Sequence, residues 1–327
     1  MTNPKTNTNK YDMDAMLSAV QTADSVLLFC HVSPDGDTVG SALALMHRLR
    51  RMGKRARVLM SDPVPDSLAF LPGALEVEGP DARPEEDALL LAVDVASAER
   101  LGAFQKAFQA AALAGVIDHH PTNPGFAPLC LIDGDAPATA VVVKRLFDRL
   151  SMPLSPEEAV CLYAALSTDT GNFVYESTNA ECFLMMAALM DAGLNLSEYS
   201  RLLFRQKKEA FVRVLAQALP TLRISRGGMV AGLTLSNEML RKAGALPMHT
   251  EGVVNYALDI EGVKLAWFAH EAPDGRVKLS LRALPPFRVD ELAARLGGGG
   301  HRLAAGVTLA MPLAEAAALI ERELEAL

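Results

Sequence analysis

The chain has 327 residues, half of them hydrophobic, and a formal net charge of −8. That length exceeds what one compact core usually takes, so two domains are expected. Positions 1–215 carry 19 basic and 27 acidic residues while positions 216–327 carry 12 of each, and an acidic first part argues against a general binder of long nucleic acid, whose affinity rests on phosphate neutralisation.

The opening MTNPKTNTNKYD is polar and reads as a tail, not a signal peptide. SVLLFCHV (25–32) is a short apolar strand. TVGSALALMHRLRRMG (38–53) is helical and ends at Gly53 with basic residues in its last turn, as helix C-termini prefer. RARVLM (55–60), DALLLAVDV (87–95) and LAGVIDH (113–119) are further strands, with PLCLID (128–133) as a fifth. Strands alternating with helices predict a doubly wound, mostly parallel α/β sheet. From Pro137 to about Leu219 four segments carry apolar residues at helical spacing, the last running unbroken over 196–219. Ser155, Pro156 and Glu158 form a capping-box pattern at the start of one of them. After Pro220 the strand-like runs TLRI, MVAGLTL, VKLAWFAH and RVKLSLRAL predict a second, smaller α/β domain with helices between and after them. The expected division is a first domain over 1–194, a helical connector over 195–220 and a second domain over 221–327. No apolar run reaches the roughly 20 residues of a membrane span. The four cysteines, Cys30, Cys130, Cys161 and Cys182, lack CxxC spacing and read as reduced thiols of a cytoplasmic protein.

Ligands of open α/β sheets bind at the carboxyl ends of the strands. The first strand runs into HVSPDGD, with His31, Asp35 and Asp37. The third ends at Asp94, and the fourth runs into Asp118, His119 and His120. A helix end, STDTGNF, adds Asp169. One such aspartate is an ordinary turn former, but the joint occurrence of acid and imidazole at four ends is not. Mixed carboxylate and imidazole donors suit Mn²⁺, Mg²⁺ or Zn²⁺, and the absence of cysteine donors argues against structural zinc. Four to six donors can hold two ions, an arrangement suited to phosphoester hydrolysis. Adjacent histidines are expected to point in different directions, so His119 and His120 are expected to divide their work. In the second part Arg282 lies on a strand, and a glycine loop, Gly298, Gly299 and Gly300 within LGGGGH, leads to His301 and would let a backbone approach a phosphate. Cys30, His249, His270 and Trp267 read as structural, and His47 as a surface residue. Phe173 and Tyr175 lie where either could stack a base.

HVSPDGDTVGSALAL, AVDVASAERLG, VIDHHPTN, STDTGNF and LGGGGHRLAAG resemble, in order and spacing, the DHH phosphoesterases with a C-terminal DHH-associated domain. Size and the DTGNF form are similar to the NrnA-type nano-RNases, shorter relatives of the RecJ exonucleases. The resemblance implies hydrolysis of very short RNA and of 3′-phosphoadenosine 5′-phosphate (pAp) with two divalent ions, Mn²⁺ first and Mg²⁺ or Co²⁺ as alternatives. It implies that His31 and Asp35 bind one ion and that Asp37, His119 and Asp169 bind the other. Asp94 would bridge them, His120 would contact the scissile phosphate, and Asp118 would orient a ligand imidazole. Arg282, Gly298, Gly299, Gly300 and His301 would bind substrate phosphate, although Ala283 and Arg302 depart from the family pattern. Closure of the second domain about the 195–220 connector and a homodimer are further expectations. Other readings are a cyclic- or linear-dinucleotide phosphodiesterase and a pyrophosphatase or exopolyphosphatase. The latter is disfavoured because the second part is neutral rather than basic. An inactive nucleotide-binding module is disfavoured because every ligand position is filled.

Overall fold

The computed structural model describes residues 11–85 and 87–325; most of the polar stretch read as a tail lies outside them. The chain divides after Gln206 into two compact units.

The first unit runs α1 (Met13–Thr22), β1 (Ser25–Phe29), α2 (Gly36–Arg51), β2 (Arg55–Leu59), β3 (Leu89–Val93), α3 (Gln105–Ala110), β4 (Ala114–Asp118), β5 (Leu129–Ile132), α4 (Thr139–Arg149), α5 (Pro156–Asp169), α6 (Ala180–Asp191) and α7 (Leu196–Ser200). Its five strands are all parallel, in the order β2-β1-β3-β4-β5. Both faces of the sheet are covered, which is why its strands read as continuous apolar runs. Val26 and Leu28 join one core with α1, α2, α4 and α5, while Leu27 and Phe29 join the other with Phe104 and Phe108. The strand order reverses direction between β1 and β3, and that switch point is where doubly wound sheets open a crevice for ligands.

Two local devices bring the ends that carry the candidate donors together. Gly36 and Gly40 on α2 let α5 come so close that a Cβ at Gly40 would lie 2.4 Å from the Cys161 carbonyl oxygen. The start of α2 and the end of α5 therefore meet. At the other end of α5 the expected capping box is present, with the Ser155 hydroxyl accepting from the Glu158 amide and the Glu158 carboxylate accepting from the Ser155 amide. Glu158 also pairs with buried Arg48, whose guanidinium donates to both carboxylate oxygens at 3.0 and 2.6 Å.

The second unit contains α8 (Glu209–Ala218), β6 (Arg223–Ser225), β7 (Val230–Leu235), α9 (Asn237–Lys242), α10 (Val253–Leu258), β8 (Leu265–Glu271), β9 (Val277–Ala283), α11 (Asp290–Arg295), β10 (Gly299–His301), β11 (Ala304–Leu309) and α12 (Leu313–Glu325). Its six strands form a mixed sheet in the order β10-β11-β9-β8-β7-β6, with only β7 and β8 parallel. Trp267 and His270 are both buried in it.

Three sequence expectations change. The helix read as unbroken over 196–219 is interrupted: a π turn over Arg201–Arg205 follows α7, and extended backbone at Gln206 and Lys208 precedes α8. No glycine or proline announces that break. The glycine loop before His301 is a hairpin strand instead, because Gly298 and Gly300 pack directly on β11. His47 is half-buried, with its Nε2 3.0 Å from the Pro72 carbonyl oxygen.

Candidate metal centre

The end of every central strand contributes a donor. His31 lies two residues beyond β1 and is buried. Asp35 caps α2 by accepting from the amides of Asp37 and Thr38. Asp37 follows in the first turn of α2, buried, and receives the amides of Thr139 and Ala140 at 2.6 and 3.1 Å. It thereby supplies, from the neighbouring helix, the acceptor that the first turn of α4 needs. Asp94 directly follows β3 at φ +59, a left-handed conformation that costs a non-glycine residue energy. Ser33, Asn172 and Phe173 share that region, so four of the six non-glycine residues with positive φ among those described lie in the loops of this site. Such clustering marks functional segments more than arbitrary loops. Asp118 ends β4, and Asp169 ends α5.

These side chains converge. His31 Nε2 is 3.6 Å from both Asp35 Oδ2 and Asp94 Oδ2. His119 Nε2 is 3.4 Å from Asp169 Oδ2, 3.9 Å from Asp37 Oδ2 and 3.7 Å from Asp94 Oδ1. Three donor groups result: His31, Asp35 and Asp94; Asp37, His119 and Asp169; and Asp94, His119 and His120. Asp94 faces His31 with one oxygen and His119 with the other. Donors bound to one ion at about 2.1 Å sit roughly 3.0–3.5 Å apart on adjacent coordination positions, so these spacings suit an ion better than direct hydrogen bonds. The electrostatics agree. Burial, and then the charges of Asp94, Asp169 and Asp35, push the Asp37 carboxyl well above the usual carboxylate range. Burial, with Asp94 and Asp35 adding to it against the opposing His119, lifts Asp169 to about 6. Burial opposes charge on His31, but the facing carboxylates of Asp35 and Asp94 outweigh it and raise the imidazole to about 9. A cluster of mutually repelling buried carboxylates fits divalent cations.

The two histidines of the DHH element do not point apart. Their rings lie 4.8 Å apart at 62°, and both reach Asp94 Oδ1, His120 Nδ1 at 3.6 Å. They follow the end of β4, so the alternation of a strand does not separate them. Asp118 orients His120 rather than His119. His120 Nδ1 donates to Asp118 Oδ1 at 2.8 Å, and that bond raises the His120 pKa. The remaining Asp118 oxygen accepts from Asn123 Nδ2 at 2.6 Å. Burial disfavours the charged Asp118, but bonds from His120 and Asn123 hold its pKa below the usual range. His119 Nδ1 instead faces the Ala136 carbonyl oxygen at 3.1 Å, which leaves Nε2 for the cluster.

Thr139, Asn123 and Arg100 were not singled out from sequence. Thr139 is fully buried, and its hydroxyl donates to Asp94 Oδ1 at 2.8 Å while its amide donates to Asp37. Arg100 donates to the Val32 carbonyl oxygen, and its Nη2 stands 2.8 Å from His31 Nδ1. Asn123 ends the segment VIDHHPTN, three residues after His120, and its only sequence signal was that proximity. Cys30, beside His31, is buried, and burial pushes its thiol up to about 12, as a structural residue requires. Tyr175 is exposed and folds over Gly171, where a Cβ would lie 2.4 Å from its ring.

In the second unit, register aligns Arg282 of β9, Ala304 of β11 and His301 of β10 as direct neighbours across the sheet. Directly opposed residues of antiparallel strands share a face, so Arg282 and His301 flank the small Ala304. Arg282 is half-buried and donates to the Leu281 carbonyl oxygen; His301 is exposed. Gly300, at φ +149, could not carry a side chain, and a Cβ there would lie 2.5 Å from the Ala304 carbonyl oxygen.

Residues 25–166 match the N-terminal domain of the DHH family, and residues 229–326 match the DHHA1 domain. The chain is 35% identical, over 87% of its length and 84% of the relative's, to a bifunctional oligoribonuclease and PAP phosphatase NrnA of Thermus thermophilus. It is 25% identical to the Bacillus subtilis protein of the same name, over 90% of this chain and 92% of that one. Among solved structures, an exopolyphosphatase-related protein from Bacteroides fragilis superposes with a TM-score of 0.88 at 28% identity, covering 96% of this chain and 95% of that one.

Proposed function

The chain belongs to the DHH family, with a DHHA1 domain following its DHH domain, and on that premise we propose that it is a metal-dependent phosphoesterase hydrolysing short oligoribonucleotides and pAp. The observation that carries the reading is Asp94, whose two oxygens face two donor groups at once. We assign His31 and Asp35 to one divalent ion, Asp37, His119 and Asp169 to a second, and Asp94 to both, with Mn²⁺ as the preferred ion. Bound divalent ions acidify water and draw charge from a phosphoryl oxygen.

The protein's own groups do the rest. Buried Asp37, fixed by two amides from α4, is held in one orientation before any substrate arrives. His120, whose charged form the bond to Asp118 favours, would present its other ring nitrogen toward the phosphate, where negative charge grows in the transition state. Arg282 and His301 bind a non-reacting phosphate of the substrate. That anchoring supplies positioning rather than chemistry. We place the protein in the cytoplasm, where its thiols stay reduced.

Asp94→Asn keeps the shape, and asparagine tolerates left-handed backbone. It is expected to abolish Mn²⁺-dependent phosphate release from pAp while leaving the far-ultraviolet circular dichroism unchanged. Turnover by the variant within tenfold of the wild type would refute the shared-carboxylate assignment.

A further inference from the structure

The mixed sheet of the second unit has one face that helices cover only in part. Over β7 and β8 this face is packed: Leu233, Leu235, Ala266 and Phe268 form a core with Val214, Leu240, Val253 and Ala257 of α8, α9 and α10. Toward the other edge the same face is open. Register sets Arg282, Ser280 and Lys278 of β9 opposite Ala304, Gly306 and Thr308 of β11, with His301 and Gly299 of β10 beyond. Lys278, Gly306, Thr308, Gly299 and His301 are exposed, and Ser280, Arg282 and Ala304 half-buried. The alternate residues Leu279, Leu281, Ala305 and Val307 fill the core on the opposite face.

Two glycines on this open face have no structural reason to be glycine. Gly298 and Gly300 do have one, since a Cβ on either would strike β11 at 2.1 or 2.5 Å. Gly299 and Gly306, paired across β10 and β11, are different. A Cβ at Gly299 would meet nothing within 4 Å, and at Gly306 only the Leu279 carbonyl oxygen at an ordinary 3.6 Å. Neither has left-handed backbone. Their shared effect is a bare floor between the side chains of β9 and the edge of the sheet, which suits close approach by a flat or extended ligand. Lys278 stands beside this floor, and no carboxylate pairs with it among the described residues.

We propose that this half-face is a track for a short single-stranded oligoribonucleotide, in which Lys278 and Thr308 bind a second phosphate beyond the one held by Arg282 and His301. The proposal rests on the functional reading above and names which substrates of that class the chain favours. Lys278 and Arg282 are four residues apart on one strand, about 13 Å at the backbone. A nucleotide contributes six backbone bonds, twice the three of an amino-acid residue, and so spans at most about 7 Å. The two cations therefore address phosphates one to two nucleotides apart, given their long side chains. In pAp one of the two phosphates is the group cleaved, so it offers this face only one. A 5′-phosphorylated trinucleotide has three phosphates, which leaves two for the two cations.

The test compares kcat/KM of the full-length protein in Mn²⁺ for pAp and for 5′-phosphorylated di-, tri- and tetraadenylates, with Lys278→Gln and Lys278→Arg. The wild type is expected to prefer the tri- and tetranucleotide over pAp. Lys278→Gln should lower the trinucleotide-to-pAp ratio about fivefold, the worth of a good exposed ion pair, and Lys278→Arg should restore it. The salt dependence of KM for the trinucleotide should flatten by about 0.7 in logarithmic slope, one single-strand phosphate contact. An unchanged ratio and slope in an active Lys278→Gln protein would overturn the track. A wild-type protein inactive on every one of these substrates would overturn the functional reading itself.

Discussion

Valine at position 139 removes one hydroxyl and leaves the helix and its amides in place. The Thr139 hydroxyl donates to Asp94 Oδ1 at 2.8 Å, with Thr139 fully buried and Asp94 2% exposed. No solvent can replace that donor. A hydrogen bond to a charged acceptor contributes about 1.5–3 kcal/mol, and loss of a group that orients a metal ligand typically costs about 10–100-fold in metal affinity. Part of that energy is lost in the metal-free protein too, so the lower end is expected: about tenfold. Because Asp94 serves both donor groups, binding at both should weaken together. The Thr139 amide bond to Asp37 survives in the variant, which confines the effect to Asp94. The assay is calorimetric titration of metal-stripped protein with Mn²⁺, comparing wild type, Thr139→Val and Thr139→Ser. Serine should bind nearly as well as wild type, and valine about tenfold more weakly. A folded valine variant binding Mn²⁺ within about twofold of wild type would refute the claim that this hydroxyl holds Asp94 in place.

Acid should loosen the second unit through His270, which is buried on β8 with its Nδ1 unpartnered. Burial, then nearby Lys278, lowers its pKa from 6.5 to about 4. The unfolded chain therefore takes up the proton first. The His270 contribution is intact above about pH 6.5 and is lost as pH falls toward 4, about 3 kcal/mol in all. Urea denaturation at pH 7 and pH 4.5 should show His270→Phe losing less stability than wild type; equal losses would contradict this. In the first unit, Glu158→Ala would leave Arg48 buried and short of its main partner. A destabilisation of about 3–5 kcal/mol is expected, and thermal unfolding unchanged from wild type would disprove it.

The sheet and the gathering of candidate donors at its strand ends were legible because their signals are local. Parallel strands buried on both faces leave continuous apolar runs, and each run here ends in the residue that meets the site: His31 beyond β1, Asp94 after β3, Asp118 to His120 after β4. What sequence did not reveal depends on contacts between distant segments. Asp37 could be read as a candidate ligand, but not as the cap of α4, because residue 139 lies 102 positions away. Thr139 has no motif of its own. Gly36 and Gly40 look like ordinary helix glycines until α5 is seen lying against them. The convergence of His119 and His120 was hidden for another reason: alternation is a property of strands, and the chain has left β4 by then. The hairpin at 299–309 was masked by glycines, which weaken the strand signal while two of them make its close pairing possible.

The most direct test of the account uses metal-stripped full-length protein with pAp, adenylates of two to four nucleotides, a long RNA, a cyclic dinucleotide and pyrophosphate, each with and without Mn²⁺. The account predicts hydrolysis of pAp and the short adenylates only when Mn²⁺ is supplied, with the long RNA and pyrophosphate nearly untouched. Hydrolysis that persists without metal, or that favours pyrophosphate or long RNA, would contradict it.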